Sequence, residues 1–334
     1  MPFASAKRDV PFKLRGIVSF LIALAGACAL APAAAAGESA PAGALGAGTH
    51  TLQLSHDGQQ RKYLLHIPAG YDPARPAPLV LAFHGGGGHA EFMADEARYG
   101  LVGKAERAGF VVVFPNGYSR FPGGKFATWN AGGCCGNARD RGVDDVGFVR
   151  ALVARVQSQL SIDGARIFAT GMSNGGMLAH RLACEAPDVF RAVAAVAGTD
   201  ATSRCAPSRP ASVLHIHARN DTHVLFTGGA GEDAFRDASK VMDFVSVPET
   251  VARWVKRNQC APAPRRILDR PGAYCEAYSG CAGGVSVQLC VTEGGGHSWP
   301  GAKTVRRGKE AASAALDAND AIWDFFTRAS RPGT

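Results

Sequence analysis

The sequence carries little charge for its size, 19% of 334 residues, and no cluster of basic and aromatic side chains. A nucleic-acid-binding stripe needs such a cluster, so nucleic acid is set aside as a partner. Beyond residue 36 no apolar run reaches the ~18 residues of a membrane helix, so no stable membrane span is expected. There is no internal repeat. Between Thr51 and the C-terminus there is no Pro/Gly/Ser-rich linker in which a domain boundary would sit. No histidine cluster has ligand spacing, and the cysteines have another explanation, so neither metal nor cofactor is expected. The run His84-Gly85-Gly86-Gly87-Gly88 is followed by no Gly-Lys-Ser/Thr, which removes a phosphate-binding loop.

What is present begins with Lys7, Arg8, Lys13 and Arg15 against a single Asp9, then an apolar run from Ile17 to Leu30 and four alanines, Ala33 to Ala36. This is the pattern of a secretory signal, residues 1–36, cleaved after Ala36. Residues 37–334 then form one domain, and loss of four basic residues and one acid lowers the formal charge from +8 to +5. A competing reading takes Ala25-Gly26-Ala27-Cys28 as a lipoprotein box anchored through Cys28, with Ala in place of the usual leading Leu. Secretion, periplasmic or extracellular, means an oxidising compartment. The remaining cysteines, Cys134, Cys135, Cys184, Cys205, Cys260, Cys275, Cys281 and Cys290, are even in number and predict four disulfides. Adjacent Cα atoms across a trans peptide lie ~3.8 Å apart, short of the ~4.4 Å lower edge for an unstrained bridge, so Cys134 and Cys135 are each expected to find a distant partner. Spacing favours a local framework among Cys260, Cys275, Cys281 and Cys290, with the other four pairing around the helix that carries Cys184.

Apolar, β-rich runs recur at Tyr63–Ile67, Leu79–Phe83, Phe110–Phe114, Arg166–Thr170, Ala192–Ala197, Val213–His217 and Val285–Val291. Helical periodicity marks Asp145–Leu160, Asn174–Glu185, Pro248–Asn258 and Asp317–Arg328. Continuous apolar strands alternating with helices predict an α/β fold, a mostly parallel central sheet with helices on both faces. The segment from Thr227 to Phe244, rich in Gly and Asp, reads as an excursion over the active face.

Gly171-Met172-Ser173-Asn174-Gly175-Gly176 joins a predicted strand to a predicted helix, the setting a G-x-S-x-G elbow requires. A hydroxyl is a poor nucleophile and needs a base, which in this order follows an acid. His297 lies late, on the loop Gly294-Gly295-Gly296-His297-Ser298-Trp299 after the last strand, where a base can swing toward Ser173. His215 and His217 alternate within a strand and read as structural, and His180 sits two helical turns below the elbow. Asp221 follows the strand Val213–His217, where the orienting carboxylate belongs; Asp200 is the competitor, and Asp144 with Asp145 reads as helix capping. Oxyanion donors are expected from the Asn174 N–H at a helix start and from Gly85 and Gly86.

Taken together, His84-Gly85-Gly86, Trp129-Asn130 with Cys134-Cys135-Gly136, Asp144-Asp145-Val146-Gly147-Phe148, the Ser173 elbow and Gly296-His297-Ser298-Trp299-Pro300-Gly301 resemble the secreted polyhydroxybutyrate depolymerase and feruloyl esterase-like group of α/β-hydrolases. The resemblance implies the α/β-hydrolase fold, ester hydrolysis with Ser173, Asp221 and His297 as triad, and a place near the cleft for Trp129 and Asn130. Trp299 joins Trp129 as an aromatic platform for an acyl group. A departure after the acid, Thr222-His223-Val224-Leu225-Phe226, brings His223 toward the ligand. The expected substrates are hydroxyalkanoate oligomers first and feruloyl or other aromatic-acid carbohydrate esters second. A noncatalytic binding module is the reading from another class, and the sequence leaves the oligomeric state open.

Overall fold

The structure, a computed structural model, describes residues 45–234 and 243–330. The signal at residues 1–36, the acylation of Cys28 and part of the 227–244 excursion fall outside the described residues.

Among the described residues ten strands form one sheet: β1 (Gly48–His56), β2 (Gln59–Ile67), β3 (Ala77–Phe83), β4 (Val111–Pro115), β5 (Ile162–Met172), β6 (Ala192–Val196), β7 (Ser212–Ala218), β8 (Arg265–Arg270), β9 (Ala273–Tyr278) and β10 (Val287–Thr292). Their spatial order is β1-β2-β4-β3-β5-β6-β7-β10-β9-β8. The six central strands, β4 to β10 in that order, run parallel, and an antiparallel pair borders them on each side. The seven apolar runs are β2 to β7 and β10. What apolar runs could not reveal are the outer strands β1, β8 and β9. β1 alternates exposed with half-buried residues, and β8 exposes Arg265, Arg266, Asp269 and Arg270, because a border strand has solvent to face.

Among the described residues there are seven α-helices, in chain order α1 (Ala90–Met93), α2 (Leu101–Ala108), α3 (Gly136–Asp140), α4 (Asp145–Gln159), α5 (Asn174–Glu185), α6 (Val247–Arg257) and α7 (Ala318–Ala329). Period-two alternation in the strands divides the core into two layers. Leu79, Leu81 and Phe83 of β3 pack with Val149 of α4, Leu178 of α5 and Val251 of α6. Val80 and Ala82 face the other way, toward Leu101 of α2 and Phe325 of α7. Asp144 caps α4 as expected, its carboxylate accepting from the Gly147 N–H at 2.9 Å. Asp145 does not cap. It is fully buried, accepting from Arg61 at 2.7 Å and from the Asn130 N–H at 2.7 Å.

The eight cysteines form four pairs. Cys260–Cys281 and Cys275–Cys290 make the expected local framework, the latter joining directly paired residues of β9 and β10. Cys184 on α5 bonds to Cys205, so the elbow helix is indeed stapled, but within its own pair. The expectation of distant partners for Cys134 and Cys135 is corrected: the two are paired with each other, across a cis peptide bond rather than the trans bond on which that expectation rested.

Candidate active site

All the loops singled out above leave the same end of the sheet. His84-Gly85-Gly86 follows β3, Ser173 follows β5, Asp221 lies three residues past β7 and His297 lies beyond β10. Parallel strands put their carboxyl ends on one side, and this is where an open α/β sheet holds ligands.

Ser173 sits between β5 and α5 with φ +55° and ψ −122°, a left-handed turn for a side-chain-bearing residue. Such strain, of order 1–3 kcal/mol, persists only where the surroundings over-determine it. Here they do. The Ser173 N–H donates to the Val196 carbonyl at 2.7 Å, and neighbouring glycines allow backbones to meet. A Cβ on Gly175 would strike the Phe83 carbonyl oxygen, one on Gly198 would strike the Ser173 carbonyl oxygen, and one on Gly171 would lie 2.5 Å from the Gly175 backbone. The turn leaves Ser173 half-buried at the floor of a cleft.

His297 Nδ1–H donates to Asp221 Oδ2 at 2.8 Å. Asp221 is 2% exposed, and its other oxygen accepts from the N–H groups of His223 at 2.7 Å and Val224 at 3.0 Å. Burial alone raises a carboxyl pKa, but the attraction of His297 and hydrogen bonds from His217 and His297 outweigh it and hold Asp221 well below the usual carboxylate range. Asp200, the competing acid, is engaged elsewhere, accepting from Arg257 at 2.7 Å and from the Thr202 hydroxyl at 2.6 Å. His223 stacks on His297, ring centroids 4.5 Å apart and planes at 18°. Its pKa falls to about 4, chiefly through burial and then through the charge of His297.

The glycine loop lies against the elbow, since a Cβ on Gly85 would sit 3.4 Å from Ser173 Cβ. Asn174 opens α5, where first-turn N–H groups have no intrahelical acceptor. His84 braces the loop from beneath: Nδ1–H donates to the Gly85 carbonyl at 2.8 Å, and Nε2 accepts from the Gly117 N–H at 2.9 Å. Complete burial lowers the His84 pKa to about 4, so the ring is neutral, which this bonding pattern requires.

Trp129 and Asn130 do not line the cleft. Trp129 is fully buried, its indole N–H donating to the His84 carbonyl at 2.9 Å, and its backbone is clasped twice by the Asn174 side chain, at 2.7 and 3.0 Å. Asn130 ties this segment to Asp145 and Val143. Trp129 braces the glycine loop and the elbow, and Asn130 holds the segment beside it. Trp299 does line the cleft, presenting little of its surface and packing edge-on to Tyr99 at 5.5 Å.

The cleft over Ser173 is narrow, about 80 Å³, with apolar walls from Phe92, Tyr99, Met172, Met177, Phe244 and Trp299. It shares His223, His297, Ser298, Val305 and Arg306 with a wider space of about 390 Å³, bordered by the polar residues Asn220, Thr222, Asp233, Lys309 and Glu310. Phe244, at the end of the predicted excursion, reaches the active face. Among the described residues no helix is long and apolar enough to cross a membrane.

Residues that sequence reasoning passed over stand directly behind the acid. His217 Nε2 lies 3.2 Å from Asp221 Oδ2, and His215, His180 and Trp254 continue inward from it. The period-two spacing of His215 and His217 put them on one face, but only the packing of α5 and α6 shows what that face meets.

Comparison with known proteins gives the family and the fold. The family profile described as Esterase PHB depolymerase matches residues 61–234, more than half of the chain. The chain is 33% identical over 257 residues to "Putative esterase NocK" of Nocardia uniformis subsp. tsuyamanensis, covering 73% of this chain and 72% of that protein. It is 31% identical over 246 residues to "Feruloyl esterase B" of Piromyces equi, covering 71% of this chain but 42% of that longer protein. "Feruloyl esterase C" of Emericella nidulans is 29% identical over 275 residues, covering 80% and 84%. Among solved structures, an acetyl xylan esterase from Aspergillus awamori superposes with a TM-score of 0.56 at 15% identity, covering 83% of this chain and 99% of that one, a likeness of fold.

Proposed function

The chain belongs to the Esterase PHB depolymerase family of α/β-hydrolases and is a carboxylic-ester hydrolase, and from that premise we propose that it is a secreted serine esterase working through Ser173, His297 and Asp221. The observation that carries this reading is the hydrogen bond from His297 Nδ1 to a buried, ionised Asp221 on loops from the same sheet end as the strained Ser173. His297 Nε2 takes the Ser173 proton as Oγ attacks the ester carbonyl, and Asp221 stabilises the imidazolium that results. The tetrahedral oxyanion is met by the N–H of Asn174, with Gly85 and Gly86 supplying the second donor. His297 returns the proton to the departing alkoxide, and water then releases the acyl group by the same steps in reverse.

The shape of the cleft favours an aromatic acid esterified to a polar alcohol. A flat aromatic acyl group matches the narrow apolar slot between Tyr99, Trp299 and the methionines, and a sugar hydroxyl matches the wider space bordered by Asn220, Asp233 and Glu310. The feruloyl esterases among its relatives support this order. Hydroxyalkanoate oligomers are the second reading, favoured by Arg98 and Arg306 on the cleft wall, which would meet a terminal carboxylate, and by the family profile.

Two measurements test these readings. A serine-directed phosphonate should modify Ser173 alone, and Ser173→Ala should remain folded while losing ~10⁴-fold or more in kcat. Near-normal turnover of that variant would end the serine mechanism. Turnover on methyl ferulate against a hydroxybutyrate trimer then decides the acyl group, and activity on the trimer alone would put the hydroxyalkanoate first.

A further inference from the structure

A line of buried rings runs inward from Asp221. Trp254 Nε1 lies 2.9 Å from His180 Nδ1, His180 Nε2 is 3.3 Å from His215 Nδ1, and His215 Nε2 is 3.0 Å from His217 Nδ1. His217 Nε2 ends the line, 2.8 Å from the Val224 carbonyl and 3.2 Å from Asp221 Oδ2. Trp254, His180, His215 and His217 are each at most 1% exposed. The line crosses three elements, since Trp254 lies on α6, His180 on α5 and the other two on β7.

The direction of every bond in this line follows from its ends. An indole N–H donates and cannot accept. His180 Nδ1 is therefore an unprotonated acceptor, and its proton sits on Nε2, pointing at His215. The same step repeats through His215 to His217, whose proton also falls on Nε2. Read from the other end the answer is the same: His217 Nε2 faces a carbonyl and a carboxylate, both acceptors, and so must carry the hydrogen. A proton added to His217 Nδ1 would turn the bonds around one by one until a His180 N–H met the Trp254 N–H head-on.

We propose that Trp254, His180, His215 and His217 form a one-way hydrogen-bond chain that holds Asp221 from its inner side and bars a proton from settling behind it. The inference rests on the serine-esterase reading above and adds positioning residues to it. Asp221 Oδ1 accepts from two backbone N–H groups and Oδ2 accepts from His297 on the outside, while His217 Nε2–H, shared with the Val224 carbonyl at 2.8 Å, stands 3.2 Å from Oδ2 on the inside. Three donors and the shared His217 hydrogen thus surround the carboxylate, which fixes its plane and the direction in which His297 is held. Burial, with neighbouring imidazoles adding to it at His215, lowers the pKa of His180 to about 4 and that of His215 well below its ordinary value, in keeping with neutral rings. The other groups facing the chain are Asp200 and Arg257 beside His180 and Phe226 beside His217; His297 faces His223, whose own charged neighbours include Arg306 and Asp233.

The test begins with the unmodified protein. Nitrogen-15 NMR of its histidines should find the hydrogen of His180, His215 and His217 on Nε2, with His180 and His215 neutral from pH 5 to 8. Any of the three with its hydrogen on Nδ1, or His180 or His215 titrating in that range, would overturn the chain. Kinetics on a short p-nitrophenyl ester supply the second arm. His217→Met should lower kcat about tenfold with KM little changed, and should move the acid limb of the kcat/KM profile upward, because an undersupported carboxylate binds the His297 proton more tightly. His217→Gln, whose amide can accept from His215 and donate to Asp221, should restore most of that loss and the original limb. A His217→Met enzyme with the parent profile refutes the inference while leaving the triad intact, provided Ser173→Ala is inactive. An active Ser173→Ala enzyme refutes the underlying reading instead. If His217→Met does not fold, the NMR result on the unmodified chain decides.

Discussion

His297 and Asp221 meet at 2.8 Å although 76 residues separate them, and the carboxylate oxygen that His297 contacts is also approached from behind by His217. Two imidazoles therefore bracket one buried carboxylate, one open to the cleft and one sealed in the core. This bracket distinguishes Asp221 from Asp200, which is equally buried but spends its oxygens on Arg257 and Thr202.

Asp221→Asn should cut kcat by ~10⁴-fold, since an amide no longer holds the tautomer that leaves His297 Nε2 free to accept a proton. Asp200→Asn should leave kcat within a few-fold and lower stability, through the loss of its ion pair with Arg257. Steady-state kinetics and thermal melts on both variants check this, and the opposite pattern would transfer the acid role to Asp200.

Gly175→Ala and Gly198→Ala should each abolish activity and lower stability by more than the ~1–3 kcal/mol typical of overpacking, because the added methyl meets backbone oxygens, those of Phe83 and Ser173, that cannot rotate away. Gly87→Ala is a control of another kind: its neighbourhood is open, but φ is +77°, so it should show only the smaller cost of a left-handed turn. Urea titrations of the three variants give the comparison directly.

Stability should fall between about pH 6.5 and pH 4. Burial brings His84 and His180 down to about 4, whereas an unfolded imidazole binds its proton near 6.5. In that window the unfolded chain holds more protons than the folded one, so each step down in pH favours unfolding. Each of these two histidines should remove roughly 3 kcal/mol by pH 4, after which its contribution levels off. Unfolding free energies across this range, compared with His84→Gln, would reveal the slope and its reduction.

Arg61→Met should destabilise the fold by ~3–5 kcal/mol. Arg61 is the cation that compensates Asp145, whose pKa burial would otherwise raise still further, and its guanidinium also lies 4.1 Å from the centre of the Phe148 ring. Adding Asp145→Asn to that variant should recover part of the loss by removing the stranded charge, a non-additivity that a double-mutant cycle measures.

How far these features could be read from the chain depends on their range. Ser173 was legible because its elbow is a local event: four consecutive backbone conformations need glycine at defined offsets, and the flanking strand and helix announce themselves by apolar period. Strands β2 to β7 and β10 were legible for the same reason, as burial on both faces writes continuous apolar runs, whereas β1 and β8 face solvent and β9 alternates buried with half-buried residues over its first half, and these write none. The placement of Asp221 and His297 after strands β7 and β10 followed from chain order. Pairing is different. Asp144 and Asp145 look alike in sequence, yet one caps a helix in solvent and the other is buried under Arg61, a residue 84 positions away. Only the family resemblance puts Trp129 near the cleft, and the Asn174 clasp holds it in the core; Cys134 with Cys135 reads as two separate bridges until the peptide between them is seen to be cis. His180, His215, His217 and Trp254 carry no motif at all. The sequence by itself determined which residues could supply a nucleophile, a base and an acid, because those depend on residue type and local backbone. Only the tertiary structure decided which buried groups stand behind them, because hydrogen bonds between α5, α6 and β7 depend on how helices seat against a sheet, and no spacing along the chain encodes that.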